Sequence, residues 1–129
     1  MTADKRPLSP HLQVWKWTIT MTQSILHRAT GVANVVGLLA LVWWLIAAAT
    51  GPEAYATFMT FASSPVGIFM FLGWTFSVYL HMLSGIRHFI MDMGYLYAIK
   101  DADKSVLFIW AASVVLTAVT WFTILGTKI

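Results

Sequence analysis

The sequence predicts an all-α integral membrane protein with three transmembrane helices. Three observations carry that expectation. The 129-residue chain is 59% hydrophobic and only 10% charged, where a soluble domain carries roughly 25% charged residues. Its mean hydropathy is +0.75, more apolar surface than one small domain can hide from water. The apolar residues also gather into three runs close to the about 20 residues that a helix needs to cross a bilayer.

Residues 1–23 form a cytoplasmic, interfacial lead-in. The stretch "RPLSPHLQVWKW" mixes prolines with Trp15 and Trp17, aromatic residues that suit the headgroup zone. Residues 1–23 contain Lys5, Arg6 and Lys16 but no apolar h-region, so a cleavable signal peptide is not expected. An Arg- and Ser-rich transit peptide is also missing, which favours a bacterial protein. The membrane domain is expected over residues 24–128, with spans at about 24–50, 65–92 and 104–126.

The first span has the apolar core "GVANVVGLLALVWWLIAAAT" and extends back to about Ser24. Gly51-Pro52 stops it. The segment "GPEAYATFMTFASSP" is expected to connect it to the second span. Ser63-Ser64-Pro65 marks the start of that span, with proline at an early helical position. Gly94 is the helix-stop candidate after it, and Lys104-Ser105 opens the third span.

The net charge of +3 follows from topology rather than from nucleic-acid binding. Lys5, Arg6, Lys16 and Arg28 precede the first span, and Arg87, Lys100 and Lys104 lie around the second connection. Only Lys128 falls on the other side. The positive-inside rule then puts the N-terminus in the cytoplasm and the C-terminus in the periplasm. Without cysteine the chain holds neither a disulfide nor an iron–sulfur cluster.

The unusual residues are the polar ones inside these spans. On a helix, Ser84, Gly85, His88 and Asp92 fall within about 60° of His81 and form one stripe. On the first span, His27, Arg28 and Gly31 share a stripe with Ser24. Ionisable groups at membrane depth are costly and normally face a bundle interior or a cavity. A histidine offers a neutral nitrogen to a metal. Ser84 and Gly85 beside His81 leave room for a flat macrocycle, and Arg28, His27 and His88 are placed to meet its carboxylates. Ser24 and Arg28 together suit a quinone carbonyl. Plainer readings remain at this point. His81 can be a packed core residue, Arg28 and Arg87 snorkelling anchors, Ser24 a helix N-cap, and Asp92 an arginine partner. Two other functions stay open: a small haem carrier ligated within the chain by His27 and His81, and a non-redox scaffold or proton-path subunit.

Two stretches carry a family resemblance that covers nearly the whole chain. "RPLSPHLQVWKWTITMTQSILHRATG" followed by "HMLSGIRHFIMDMGY" resembles the cytochrome b556 membrane-anchor subunit of succinate dehydrogenase, respiratory complex II. The resemblance implies half of a heterodimeric six-helix bundle in the bacterial inner membrane that binds haem b. It implies that His81 is an axial ligand to the haem iron, and that the other ligand comes from the second membrane-anchor protein of the complex. It places His27 and Arg28 near the haem propionates and His88 at the haem edge. Ser24 and Arg28 match the ubiquinone-site pair, Ile25 and Trp17 line that pocket, and Asp92 supports proton delivery. The flavoprotein and iron–sulfur subunits are the implied soluble partners, and the isolated chain is expected to have no catalytic activity. The family often has a proline where this chain has Thr18.

Overall fold

The computed structural model describes residues 15–127. The expectations for residues 1–14, including Lys5 and Arg6, and for Lys128 lie outside the described residues. Four helices follow in order: α1 Ile19–Thr50, α2 Pro52–Ala62, α3 Pro65–Asp92 and α4 Ile99–Gly126. There is no strand among the described residues. Three of these helices, α1, α3 and α4, are long and apolar enough to cross a membrane.

Thr18 starts α1. Its backbone is extended and its hydroxyl accepts from the Met21 amide at 3.4 Å, which satisfies one of the unpaired first-turn donors. The departure from the family's proline is therefore a capping residue. The helix begins ahead of Ser24, so Ser24 lies inside α1 and is not its cap. At 32 residues and 1.5 Å per residue, α1 is about 48 Å long, well beyond a hydrocarbon core of about 30 Å. Gly51 ends it with φ of 134°, in the region that glycine adopts without a side-chain clash.

The connection after Gly51 is not a loop. It forms α2, with Pro52 at its first position and Glu53 in its first turn, both favourable at a helix N-terminus. Phe58 of α2 is buried and meets Trp43 of α1 edge-on at 5.0 Å. Ser64 then caps α3, accepting from the Gly67 amide at 3.1 Å with Pro65 just inside, as the sequence predicts. The turn is tight: a Cβ on Gly67 would stand 2.1 Å from the Phe61 carbonyl oxygen. Gly94, with φ of 92°, follows the end of α3. Helix α4 starts at Ile99, earlier than Lys104, because "IKDADK" is helical as well as polar and places Asp101 in the first turn.

Helix α3 lies between α1 and α4 and packs along both. The apolar core is small, with Leu80, Val106 and Ile109 among its buried members. Lipid tails are as apolar as leucine, so helices associate in a bilayer through close packing and interhelical hydrogen bonds of roughly 0.6 kcal/mol each. Both are present. Ser77 donates to the Thr30 carbonyl and to Asn34 Oδ1. Tyr79 shares a 2.8 Å hydrogen bond with Thr120, and Trp121 Nε1 donates to Thr75. At Gly37 the Trp74 indole lies on the α1 backbone, where a Cβ would come within 2.1 Å of the ring. We expect Gly37→Ala to destabilise the protein by about 1–3 kcal/mol through overpacking, while Gly126→Ala, with open space around it, does not. Thermal unfolding in detergent measures both, and equal midpoints for Gly37→Ala and wild type would contradict this packing.

Candidate cofactor site on the face between α1 and α3

Histidine 81 projects from α3 onto the backbone of α1. Its Nδ1 lies 3.1 Å from the His27 carbonyl oxygen and 3.4 Å from Thr30 Oγ1. A carbonyl only accepts, so Nδ1 must carry the proton and donate it. The Thr30 hydroxyl, placed to donate to the Leu26 carbonyl at 2.8 Å, is free to accept part of the same proton. In the neutral ring this sets the tautomer, with the lone pair on Nε2. Metal-ligating histidines are held in this way by a partner on the other ring nitrogen. Gly31 allows the approach, since a Cβ there would stand 3.2 Å from His81 Cε1.

The other two histidines among the described residues, His27 and His88, gather with His81. The His27 ring stacks on it with centroids 4.2 Å apart and planes 19° from parallel. His88 lies 5.2 Å from His27 at 52°. No group of three His, Cys, Asp or Glu side chains among the described residues converges to hold a bare metal ion. The stack also disfavours His27 and His81 as two ligands of one iron. Such a pair needs nitrogens opposed across the metal, whereas stacked rings present parallel faces.

Behind this cluster lies a polar clamp that helical spacing alone does not reveal. Gln23 and Ser84 are 3% and 2% exposed. The Gln23 amide nitrogen donates to Ser84 Oγ, Ser84 donates to the Leu80 carbonyl, and Trp110 Nε1 donates to Gln23 Oε1 at 2.6 Å. Three helices are thus joined at one level. One expectation changes. Ser84 does not leave room beside His81, because its hydroxyl is engaged in the interior; Gly85 does, with nothing within 4 Å of where its Cβ would be. An amide at membrane depth was the available signal for Gln23.

With Gln23 turned inward, α1 turns the remaining candidates outward. Ser24, Ile25 and Arg28 are exposed and His27 is half-buried. His88 and Asp92 are exposed on α3, where Asp92 is the last helical residue. Trp17 is exposed, and its indole N–H is already donated to Thr22 Oγ1. The structure therefore brings His27, His81 and His88 together, with Ser24, Ile25 and Arg28 on the same end of α1. It does not join Trp17 or Asp92 to that cluster. Arg87, expected to snorkel, is instead buried between α3 and α4, with Nε donating to Ser105 at 2.8 Å.

Three membrane-length helices with a cluster of three histidines between α1 and α3 define a multi-pass membrane protein. Comparison with known proteins agrees and narrows the class. A model of the succinate dehydrogenase/fumarate reductase transmembrane subunit family matches residues 2–120, and the chain belongs to that family. It is 41% identical over 115 residues to the succinate dehydrogenase cytochrome b556 subunit of Paracoccus denitrificans, covering 89% of this chain and 88% of that protein. The cytochrome b556 subunit of Rickettsia prowazekii is 36% identical over 118 residues, 92% of each chain. The mitochondrial cytochrome b560 subunit of Mus musculus is 32% identical over 108 residues, 72% of this chain and 56% of that protein. The family read from the two motifs and the all-α, three-span fold class both stand.

Proposed function

We propose that this chain is the haem b-binding membrane anchor of a succinate:ubiquinone oxidoreductase, with His81 as one axial ligand. The observation that carries the proposal is the Nδ1–H of His81 held on the His27 carbonyl, which in the neutral ring leaves the Nε2 lone pair for iron. The residues present fit such a group: an oriented imidazole, open space at Gly85, and the His27, Arg28 and His88 side chains within a turn or two, suited to its propionates. A bound haem supplies a one-electron store. A second membrane-anchor protein with three spans of its own would complete the six-helix bundle and would supply the other residue that holds the haem iron, which agrees with the exposure of the α1 face.

The same end of α1 forms part of the ubiquinone pocket. Ser24 donates a hydrogen bond to a quinone carbonyl, and the Arg28 guanidinium holds positive charge where that oxygen gains electrons. Ile25 lines the pocket, and Trp17 closes it from the headgroup side. Asp92 relays protons from the aqueous phase. The flavoprotein and iron–sulfur subunits dock on this end, which the count of basic residues assigns to the cytoplasm, with the C-terminus in the periplasm. The spans 24–50, 65–92 and 104–126 cross the bilayer, and the isolated chain has no turnover of its own.

Purification of the intact assembly in mild detergent tests this reading. Succinate-oxidising and iron–sulfur subunits should co-purify, with a b-type haem at one per assembly. An assembly lacking haem and quinone but otherwise whole would favour a scaffold role.

A further inference from the structure

A second polar feature lies on the opposite side of α3. Arg87 comes six residues after His81, about 120° away around the helix, and faces α4. It is only 9% exposed. Its Nε donates to Ser105 Oγ, whose own proton goes to the Ala102 carbonyl. No other hydrogen bond joins the guanidinium to a described residue. The side chain lines a groove of about 410 Å³ together with Lys104, Asp101, Ile86, Ile90 and Phe108. Among the described residues only Trp74 Nε1 is a buried side-chain nitrogen or oxygen without a partner, so the remaining Arg87 N–H groups are not sealed off but open onto this groove, where they can donate to an acceptor.

We propose that this groove binds one membrane phospholipid through its phosphate diester. The planar fork of Arg87 takes two phosphate oxygens, and Lys104 adds a second cation at the rim. The groove opens where α3 is about to end and α4 has just begun, the level of the headgroups. Its walls are mostly apolar and run out onto Ile86 and Phe108, which are 47% and 69% exposed, a track for an acyl chain. That track favours a lipid over a carboxylate from a partner protein, which has no use for it. Asp101 favours a diester over free phosphate. Two cations and one carboxylate balance a single negative charge, whereas inorganic phosphate carries more. The carboxylate also suits an amino headgroup.

Native mass spectrometry of the complete complex, stripped by detergent exchange and titrated with micelles containing phosphatidylglycerol or phosphatidylethanolamine, tests the site. Wild type should retain one phospholipid that Arg87→Gln loses. Lys104→Gln alters an exposed side chain and leaves the bundle packing intact; it should raise the half-saturating lipid concentration about tenfold, and Lys104→Arg should restore it. Equal retention by wild type and Lys104→Gln would overturn the proposal. Displacement of the lipid by inorganic phosphate would mark a simple anion site and overturn it as well. Density for a partner chain in the groove, in a map of the complex, would do the same.

Discussion

Replacing His81 with leucine should abolish the b-type reduced-minus-oxidised spectrum of the complex. Leucine fills a similar volume but offers no lone pair, and no second imidazole is poised to substitute. His27 is stacked against His81 rather than opposed to it, with centroids 4.2 Å apart, and His88 is a further 5.2 Å from His27. The same change removes the hydrogen bond from Nδ1 to the His27 carbonyl, so the contact between α1 and α3 weakens by roughly 1 kcal/mol. The clamp of Gln23, Ser84 and Trp110 holds the three helices together regardless. Co-purification of the other subunits, measured on the same preparation, separates a lost ligand from a failed assembly. An unchanged spectrum in His81→Leu would remove the ligand assignment.

Arg28→Ala should cut quinone reduction by roughly 30- to 1,000-fold. A fixed positive charge beside an oxygen that gains electrons has a value comparable to an oxyanion-hole donor, about 2–4 kcal/mol in the barrier. Arg28 is exposed in this chain alone, so it becomes effective only when the neighbouring subunits exclude water around it. The loss should fall on quinone-dependent turnover. Succinate oxidation with an artificial acceptor that draws on the soluble subunits should continue. Arg28→Lys keeps the charge but not the fork, and recovers part of the activity. Wild-type quinone reductase rates in Arg28→Ala would exclude this role.

The spans are legible because lipid imposes a simple rule: long apolar runs fold as helices, with backbone groups bonded internally. Ser64-Pro65 and Gly94 mark the bounds of α3 for the same reason that they end helices in water. Helix α2 is harder to read because "PEAYATFMTFA" is too short to span, although Pro52 and Glu53 are start signals in plain view. The polar residues divide differently. Helical spacing puts His81, Ser84 and His88 on one broad stripe, but 100° steps cannot tell which edge faces a neighbouring helix. Packing decides that, and it turns Ser84 inward to Gln23 and leaves His88 outside. The inward turn of Gln23, and hence the outward aim of Ser24 and Arg28, depends on Trp110, 87 residues away in the chain. No local pattern encodes such a pairing.

The uncovered edge of the bundle has a consequence for biogenesis. In the chain on its own His27 is half-buried and Arg28 and His88 are exposed, and a charged group turned to acyl chains costs several kcal/mol. A surface that shields this edge would recover that cost, so the chain is expected to persist longer in the membrane within its complex than alone.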